Sequence, residues 1–303
     1  MAEAVTFLVT APGPGQPGRE RPGWTIAEAV AAISPALADV RRLGVAFSGG
    51  VDSSVLLALA ARMLGADRVV ALLGVSPSLA ASERTAAHRV AEEIGVRLVE
   101  IATNEGDREA YRANGPDRCF HCKDELFSRI GDGVAGAYGL DAIAYGENAD
   151  DARRPDRPGA QAATQHAVLR PLADAGMTKA DVRAIARELG LTVADKPAAP
   201  CLASRIPHHQ RVTADKLRQI DQAEDAVRRL GFEDLRVRHH GDVARLELPA
   251  ADLARAVSDP LREQVLRAVR AAGFRFVAVD LRGIQSGAFT LDLLQIEPTA
   301  EHA

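Results

Sequence analysis

The chain has 303 residues, 47% of them hydrophobic and 26% charged, with a formal net charge of −4. This ordinary balance excludes a fibrous or wholly disordered chain, and the slight acidity excludes a bulk basic field for RNA or an anionic membrane. No apolar run approaches the roughly 20 residues that cross a bilayer, and three cysteines suggest no disulfide framework, so a cytoplasmic protein is expected.

In chain order, residues 1–24 are rich in proline and glycine, lack a signal-peptide pattern, and read as a disordered or loosely packed extension. Leu43–Phe47 is predicted as a first, buried strand, and Val55–Leu64 as a helix ended by Gly65. Strands are predicted at Arg68–Val75, Arg97–Ile101 and Asp141–Gly146. Helices are predicted at Ser82–Ile94, capped by Ser82, from about Lys123 to Tyr138, and from the Thr178-Lys179-Ala180-Asp181 cap to Leu189. This alternation predicts an α/β, doubly wound parallel sheet over residues 25–206. After Pro207 the pattern changes. A helix over Thr213–Leu230 leads to strands Leu235–His240 and Val243–Leu248, joined by the hairpin signal Gly241-Asp242. Helical segments over Ala250–Ala272, interrupted near Pro260, and a strand at Arg275–Leu281 complete a smaller α+β domain over 207–303, for substrate or oligomer contacts.

The run Ser48-Gly49-Gly50-Val51-Asp52-Ser53-Ser54 joins the first strand to its helix, where open α/β sheets bind ligands. Two glycines let backbone N–H groups close on an anion, the helix N-terminus adds unpaired donors, and Ser48, Ser53 and Ser54 add hydroxyls. Asp52 would repel a bare phosphate, so it reads as a ligand for Mg²⁺. The nucleotide P-loop spacing is absent. The run resembles the pyrophosphate loop of the ATP pyrophosphatases, which implies ATP cleavage between the α and β phosphates and adenylation of a substrate oxygen. A plain Gly-Ser turn capping a helix is the bland reading.

Cys119, Cys122 and Cys201 are the only cysteines. Cys119-Phe120-His121-Cys122 alone reads equally as a redox pair, half a zinc site or two buried small side chains. All three cysteines are expected in loops at the C-terminal edge of the sheet. A 4Fe–4S cluster normally takes four thiolates, so three would leave one iron open to sulfide or substrate.

Asp195-Lys196-Pro197, Pro200-Cys201-Leu202-Ala203-Ser204-Arg205-Ile206-Pro207 and Gly146-Glu147-Asn148-Ala149-Asp150-Asp151 resemble the sulfur insertases of nickel-pincer nucleotide biosynthesis, from about Thr25 to Leu291. The resemblance implies adenylation of a carboxylate of pyridinium-3,5-biscarboxylic acid mononucleotide and replacement of its oxygen by sulfur. In one branch the cysteine matching Cys201 surrenders its sulfur and becomes dehydroalanine; in another it joins a CxxC around a 4Fe–4S cluster. The CxxC makes this chain similar to the cluster branch, with Cys119, Cys122 and Cys201 as ligands.

Gly146 and Asn148 join the expected ATP site. Asp151, Ser204, Arg205, Arg236 and Arg238 are assigned to the substrate, the last two sharing one face of a strand. Asp150 and Asp151 read alternatively as a solvated acidic loop beside Arg153-Arg154, and the pairs His208-His209 and His239-His240 read as surface or hydrogen-bonding residues. A homo-oligomer is expected. The competing functions are a tRNA thiolase, disfavoured by the absence of a basic RNA-binding module, an amidating synthetase, and a scaffold that only binds ATP.

Overall fold

The computed structural model of the chain describes residues 23–153 and 158–284. Residues 1–22 of the expected extension therefore lie outside the described residues. The first half comprises α1 (Ile26–Ile33), β1 (Leu43–Ala46), α2 (Val51–Leu64), β2 (Val69–Val75), α3 (Ala81–Ile94), β3 (Arg97–Ala102), α4 (Glu109–Arg112), α5 (Arg118–Arg129), α6 (Ala135–Tyr138) and β4 (Ala142–Tyr145). Then follow α7 (Ala149–Ala152), α8 (Pro158–Gln165), α9 (Pro171–Asp174), α10 (Lys179–Glu188), α11 (Ala214–Arg228), β5 (Arg236–His240), β6 (Val243–Glu247), α12 (Ala250–Ala256), α13 (Leu261–Ala271) and β7 (Phe276–Val279).

The first four strands form one parallel sheet in the order β3-β2-β1-β4. Helix α2 is apolar along most of its length, and Val51 and Ser53 to Ala60 are buried. A helix of that composition needs neighbours on every side; α2 lies between the sheet and α10, with α1 beside it. On the opposite face α5 packs on α8, and Phe127, Ile130, Ala162 and Ala163 join Val70 and Leu72 in a second apolar layer. Helices on both faces of a parallel sheet make this the doubly wound fold that the alternation predicts.

The second sheet has the order β5-β6-β7. Gly241 and Asp242 form a two-residue turn between antiparallel β5 and β6, with Gly241 at φ 65°. Strand β7 pairs parallel to β6 after the α12–α13 crossover. Its core gathers Leu217, Ile220, Phe232, Val237, Leu246 and Phe274, and also takes in Tyr111, Leu202, Ala203 and Ile206 from earlier in the chain. The segment carrying Cys201 is thus anchored by its apolar neighbours.

Three boundaries differ from expectation. Helix α2 begins at Val51, so Val51–Ser54 form its first turn. Helix α3 begins at Ala81 after Ala80, with no side-chain cap from Ser82. Helix α5 begins at Arg118, whose N–H donates to Gly115 O, so Cys119 and Cys122 stand on a helix and not in a loop before one. The Gly115-Pro116-Asp117 turn starts that helix earlier than the apolar pattern alone indicates.

Between α3 and β3, the Glu100 carboxylate accepts from Arg84 Nε at 2.6 Å and from His88 Nε2 at 2.7 Å. Hydrogen bonds from Arg84 and then His88 hold its carboxyl down from 4.5 to about 2. A depressed folded-state pKa contributes stability above the unfolded value, and that contribution is lost as pH falls through the folded one. Urea midpoints measured between pH 5 and 2 should therefore fall more steeply in the wild type than in Glu100→Gln; parallel curves would show the pair contributes nothing.

Candidate functional site

At the end of β1 the chain turns through Gly49 at φ +69°, where an added Cβ would lie 2.9 Å from Ala87 Cα. Only glycine fits such a left-handed turn against a neighbouring helix. Ser53 Oγ and Ser54 Oγ donate to Gly50 O at 3.0 and 2.9 Å, and Ser48 N donates to Ser53 Oγ at 3.3 Å. Ser53 and Ser54 are buried and brace the loop, while Ser48 and Gly50 line the cavity above it. The first amides of α2 open toward that cavity without helical acceptors, a preformed anion cradle. Gly146 follows β4 and passes so close that a Cβ there would lie 2.5 Å from Ser53 N. That contact brings the end of β4 onto the start of α2.

Asn148 caps α7 and links two carboxylates, its Nδ2 donating to Asp52 Oδ1 at 3.0 Å and to Asp151 Oδ2 at 2.9 Å. Lys179 Nζ meets Asp52 Oδ2 at 2.5 Å, and its backbone N–H donates to Asp150 Oδ2 at 2.8 Å. The cavity, about 540 Å³, is lined by Ser48, Asp52, Lys179, Arg183, Lys196 and Arg236 among others. Lys196 Nζ is paired with Glu83 at 2.6 Å, and Arg183 holds the carbonyls of Ala194 and Lys196 at 2.6 and 3.1 Å. Four cations stand against three carboxylates in this lining, Asp52, Glu83 and Asp151, and the α2 amides add to that small positive excess for a polyphosphate. Pro197 to Pro200 form one wall and lead straight to Cys201.

Cys201 precedes a short 3-10 turn, Leu202–Arg205. Its carbonyl accepts from Ser204 Oγ at 2.7 Å and from Arg205 Nη1 at 3.3 Å, while Leu202 N donates to Ser78 O at 2.9 Å. Arg205 also reaches Pro200 O at 2.6 Å and pairs with Glu224, which is fully buried, at 2.9 Å. Arg238 Nη1 donates to Ser204 O at 2.8 Å and Nη2 to buried Glu247 at 2.7 Å. Arg236 lines the cavity and donates to Ala198 O at 3.3 Å; burial, then the nearby charges of Arg238 and Arg205, lower its pKa. The substrate-assigned arginines thus occupy different settings: Arg236 faces the cavity, while Arg205 and Arg238 hold the Cys201 segment.

The CxxC helix joins the same region. Buried Asn114 Nδ2 donates to Pro207 O at 2.7 Å, and Arg118 Nη1 donates to Ala203 O at 3.0 Å. Burial opposes the charge of Arg118, and the negative charges of Cys201, Cys119 and Tyr111 with a hydrogen bond to Cys119 together raise its pKa. Burial, then the charges of Glu105, Cys201 and Cys119, push the Cys122 thiol well up. Cys119 and Cys201 are exposed. The three cysteines therefore share one neighbourhood. Among the described residues, however, no group of three or more His, Cys, Asp or Glu side chains is gathered to hold a metal ion. The expected Cys119–Cys122–Cys201 cluster is not a preassembled metal centre here.

Lys179, Glu83 and Arg183 are cavity residues to which the motif reading gives no site role, and Lys196 enters it only within Asp195-Lys196-Pro197. Lys179 was visible only as part of a helix cap, and its meeting with Asp52 depends on tertiary packing. Removing Arg238 would leave the buried Glu247 carboxylate with Arg245, 3.2 Å away, as its remaining ion-pair partner, and weakening a buried pair is costly. Arg238→Ala should lower the unfolding free energy by about 3 kcal/mol, read from urea unfolding. A change below about 0.5 kcal/mol would show that Glu247 does not need it.

Comparison with known proteins agrees with this geometry. A family model described as asparagine synthase matches residues 26–127, which include the phosphate loop. An uncharacterized protein of Synechocystis sp. is 39% identical over 249 residues, covering 82% of this chain and 92% of its own length. The pyridinium-3,5-bisthiocarboxylic acid mononucleotide synthase of Lactiplantibacillus plantarum is 36% identical over 263 residues, 87% of this chain and 94% of that protein. An uncharacterized protein of Methanocaldococcus jannaschii is 25% identical over 241 residues, 80% of this chain and 90% of its own. With a pyrophosphate-loop fold and that identity over most of both chains, this protein belongs to the family of the pyridinium-3,5-bisthiocarboxylic acid mononucleotide synthase.

Proposed function

We propose that the protein is an ATP-dependent sulfurtransferase that adenylates a carboxylate of pyridinium-3,5-biscarboxylic acid mononucleotide and replaces one oxygen by sulfur. The observation that carries this reading is the single cavity lined at one end by the Ser48–Asp52 loop and at the other by the Pro197–Pro200 wall that ends at Cys201. An acyl adenylate formed on the loop is then within the same space as a thiol-bearing segment.

Each residue has a role set by its placement. The Ser48–Ser54 loop holds the ATP phosphates through α2 amides and Ser48. Gly146 and Asn148 fix the β4 end against that loop. Asp52 and Asp151, both bonded to Asn148, are hard oxygen donors that suit Mg²⁺, which would neutralise phosphate charge. Lys179, beside Asp52, provides a second cation for the pyrophosphate leaving group. Arg236 takes the mononucleotide phosphate, with Arg205, Arg238 and Ser204 holding the segment around it. The substrate carboxylate oxygen attacks the α-phosphate and pyrophosphate leaves. A sulfur nucleophile then attacks the acyl carbon, and AMP departs with the former carboxylate oxygen.

The sulfur comes from the Cys119, Cys122 and Cys201 neighbourhood. Cys119, Cys122 and Cys201 are soft thiol donors of the type that holds a 4Fe–4S cluster, with Arg118 and Arg205 beside them, and they would have to draw together to bind one. Such a cluster would supply an iron open to sulfide. Mass spectrometry of Cys201 after reaction tests this form of the reading. The expected result is several products per chain with the Cys201 sulfur retained; stoichiometric dehydroalanine at residue 201 would make Cys201 itself the donor.

Two substitutions test the binding roles. Asp52→Ala should abolish substrate-dependent pyrophosphate release while thermal melting stays near wild type, and near-normal release would refute its role. Arg236→Ala should weaken mononucleotide binding about tenfold and ATP binding much less, since a charge-assisted hydrogen bond is worth roughly 1.5–3 kcal/mol. Equal effects on both ligands would remove Arg236 from the phosphate site.

A further inference from the structure

The turn before the CxxC helix carries a fully buried polar residue that the adenylation chemistry leaves unused. Asn114 is 0% exposed and stands at φ 58°, a left-handed conformation uncommon outside glycine and kept only where the surroundings fix it. Its Nδ2 donates to Pro207 O at 2.7 Å, Gln210 O at 3.0 Å and Ile206 O at 3.3 Å, two hydrogens shared among three carbonyls. Its Oδ1 accepts from Arg118 Nη1, and its backbone carbonyl accepts from His209 N at 3.1 Å.

These bonds join two elements far apart in the chain. Arg118 opens α5 one residue before Cys119, and the same Nη1 that meets Asn114 donates to Ala203 O, two residues after Cys201, at 3.0 Å. Val212 N adds a bond to Arg112 O at 2.9 Å. Cys122 packs against the apolar cluster that holds Tyr111, Leu202, Ala203 and Ile206. One carboxamide therefore grips the start of the CxxC helix through its oxygen and the segment after Cys201 through its nitrogen. None of its hydrogen-bond partners lines the cavity beside the phosphate loop.

We propose that Asn114 is a positioning residue for the sulfur step: its carboxamide fixes the separation between the Cys119–Cys122 helix and the Cys201 segment, and it takes no part in adenylation. This rests on the sulfur-insertion reading for the reaction served, whereas the fixed separation needs only the chain itself. Misplacing a reacting group by about 1 Å slows a transfer about a hundredfold. Glycine at this position would keep the left-handed turn and lose the grip.

The test compares the full-length wild type with Asn114→Gly and with Asn114→Asp, which keeps the acceptor for Arg118 and loses the donor toward residues 206–210. Nitroxide labels on the exposed Cys119 and Cys201, in a Cys122→Ser background, report their separation by dipolar electron paramagnetic resonance. The wild type should give one narrow separation and both variants a broader or longer one; an unchanged distribution would overturn the clamp. With all three cysteines present, each variant should release pyrophosphate in a substrate-dependent burst at the wild-type rate and form thiocarboxylate about a hundredfold more slowly. Equal loss of both activities would make Asn114 a residue of general structure and overturn its positioning role. Should Asn114→Gly fail to fold, Asn114→Asp decides by the same two readouts. Broadened separations in the variants, with no thiocarboxylate from the wild type, would keep the clamp and remove the sulfur-insertion reading. Thiocarboxylate from the wild type with unchanged separations would do the reverse.

Discussion

The ion pair between Arg205 and Glu224, 5% and 0% exposed, sets where Cys201 stands. Two charges so far from water are tolerable only when fully partnered. Arg205 meets that condition with two bonds to Glu224 and others to Pro200 O, Cys201 O and Ser204 Oγ. Glu224 in turn accepts from Val237 N at 3.0 Å and from Arg228 at 2.9 Å. One buried carboxylate thus ties α11, β5 and the Cys201 segment together, and the exposed thiol rests on a fixed base.

The phosphate end obeys a different constraint. Gly49 and Gly146 permit approaches that any Cβ would block, and they bring α2, α3 and the β4 end within contact. Once those elements meet, Asp52, Asn148, Asp151 and Lys179 fall into one network. The cavity is bounded by this network on one side and by the Pro197–Pro200 wall on the other. The glycine-rich loop and the wall that leads to Cys201 therefore border one cavity, because two separately stabilised frameworks face each other across it.

Much of this was legible from local pattern. The short apolar strands, the Ser48–Ser54 turn and the helix stops at Gly65 and Gly95 depend on neighbours in sequence, and the structure contains them. The start of α5 was not legible, because its first turn carries Cys119, Phe120, His121 and Cys122 in place of a recognisable cap or apolar stripe. Arg236 and Arg238 share a strand face as alternation requires, yet only packing separates the one lining the cavity from the one paired with Glu247. Lys179 carried no local sign of its place in the cavity, which it takes from a partner far along the chain, Asp52.

The account's central claim is that a substrate carboxylate is adenylated in the cavity and that its oxygen leaves with AMP when sulfur enters. The direct measurement uses substrate whose carboxylate oxygens carry a heavy oxygen isotope, with mass analysis of the nucleotide product. The account predicts one heavy oxygen in each AMP released. ADP as the product, or AMP free of the label while thiocarboxylate forms, would contradict it.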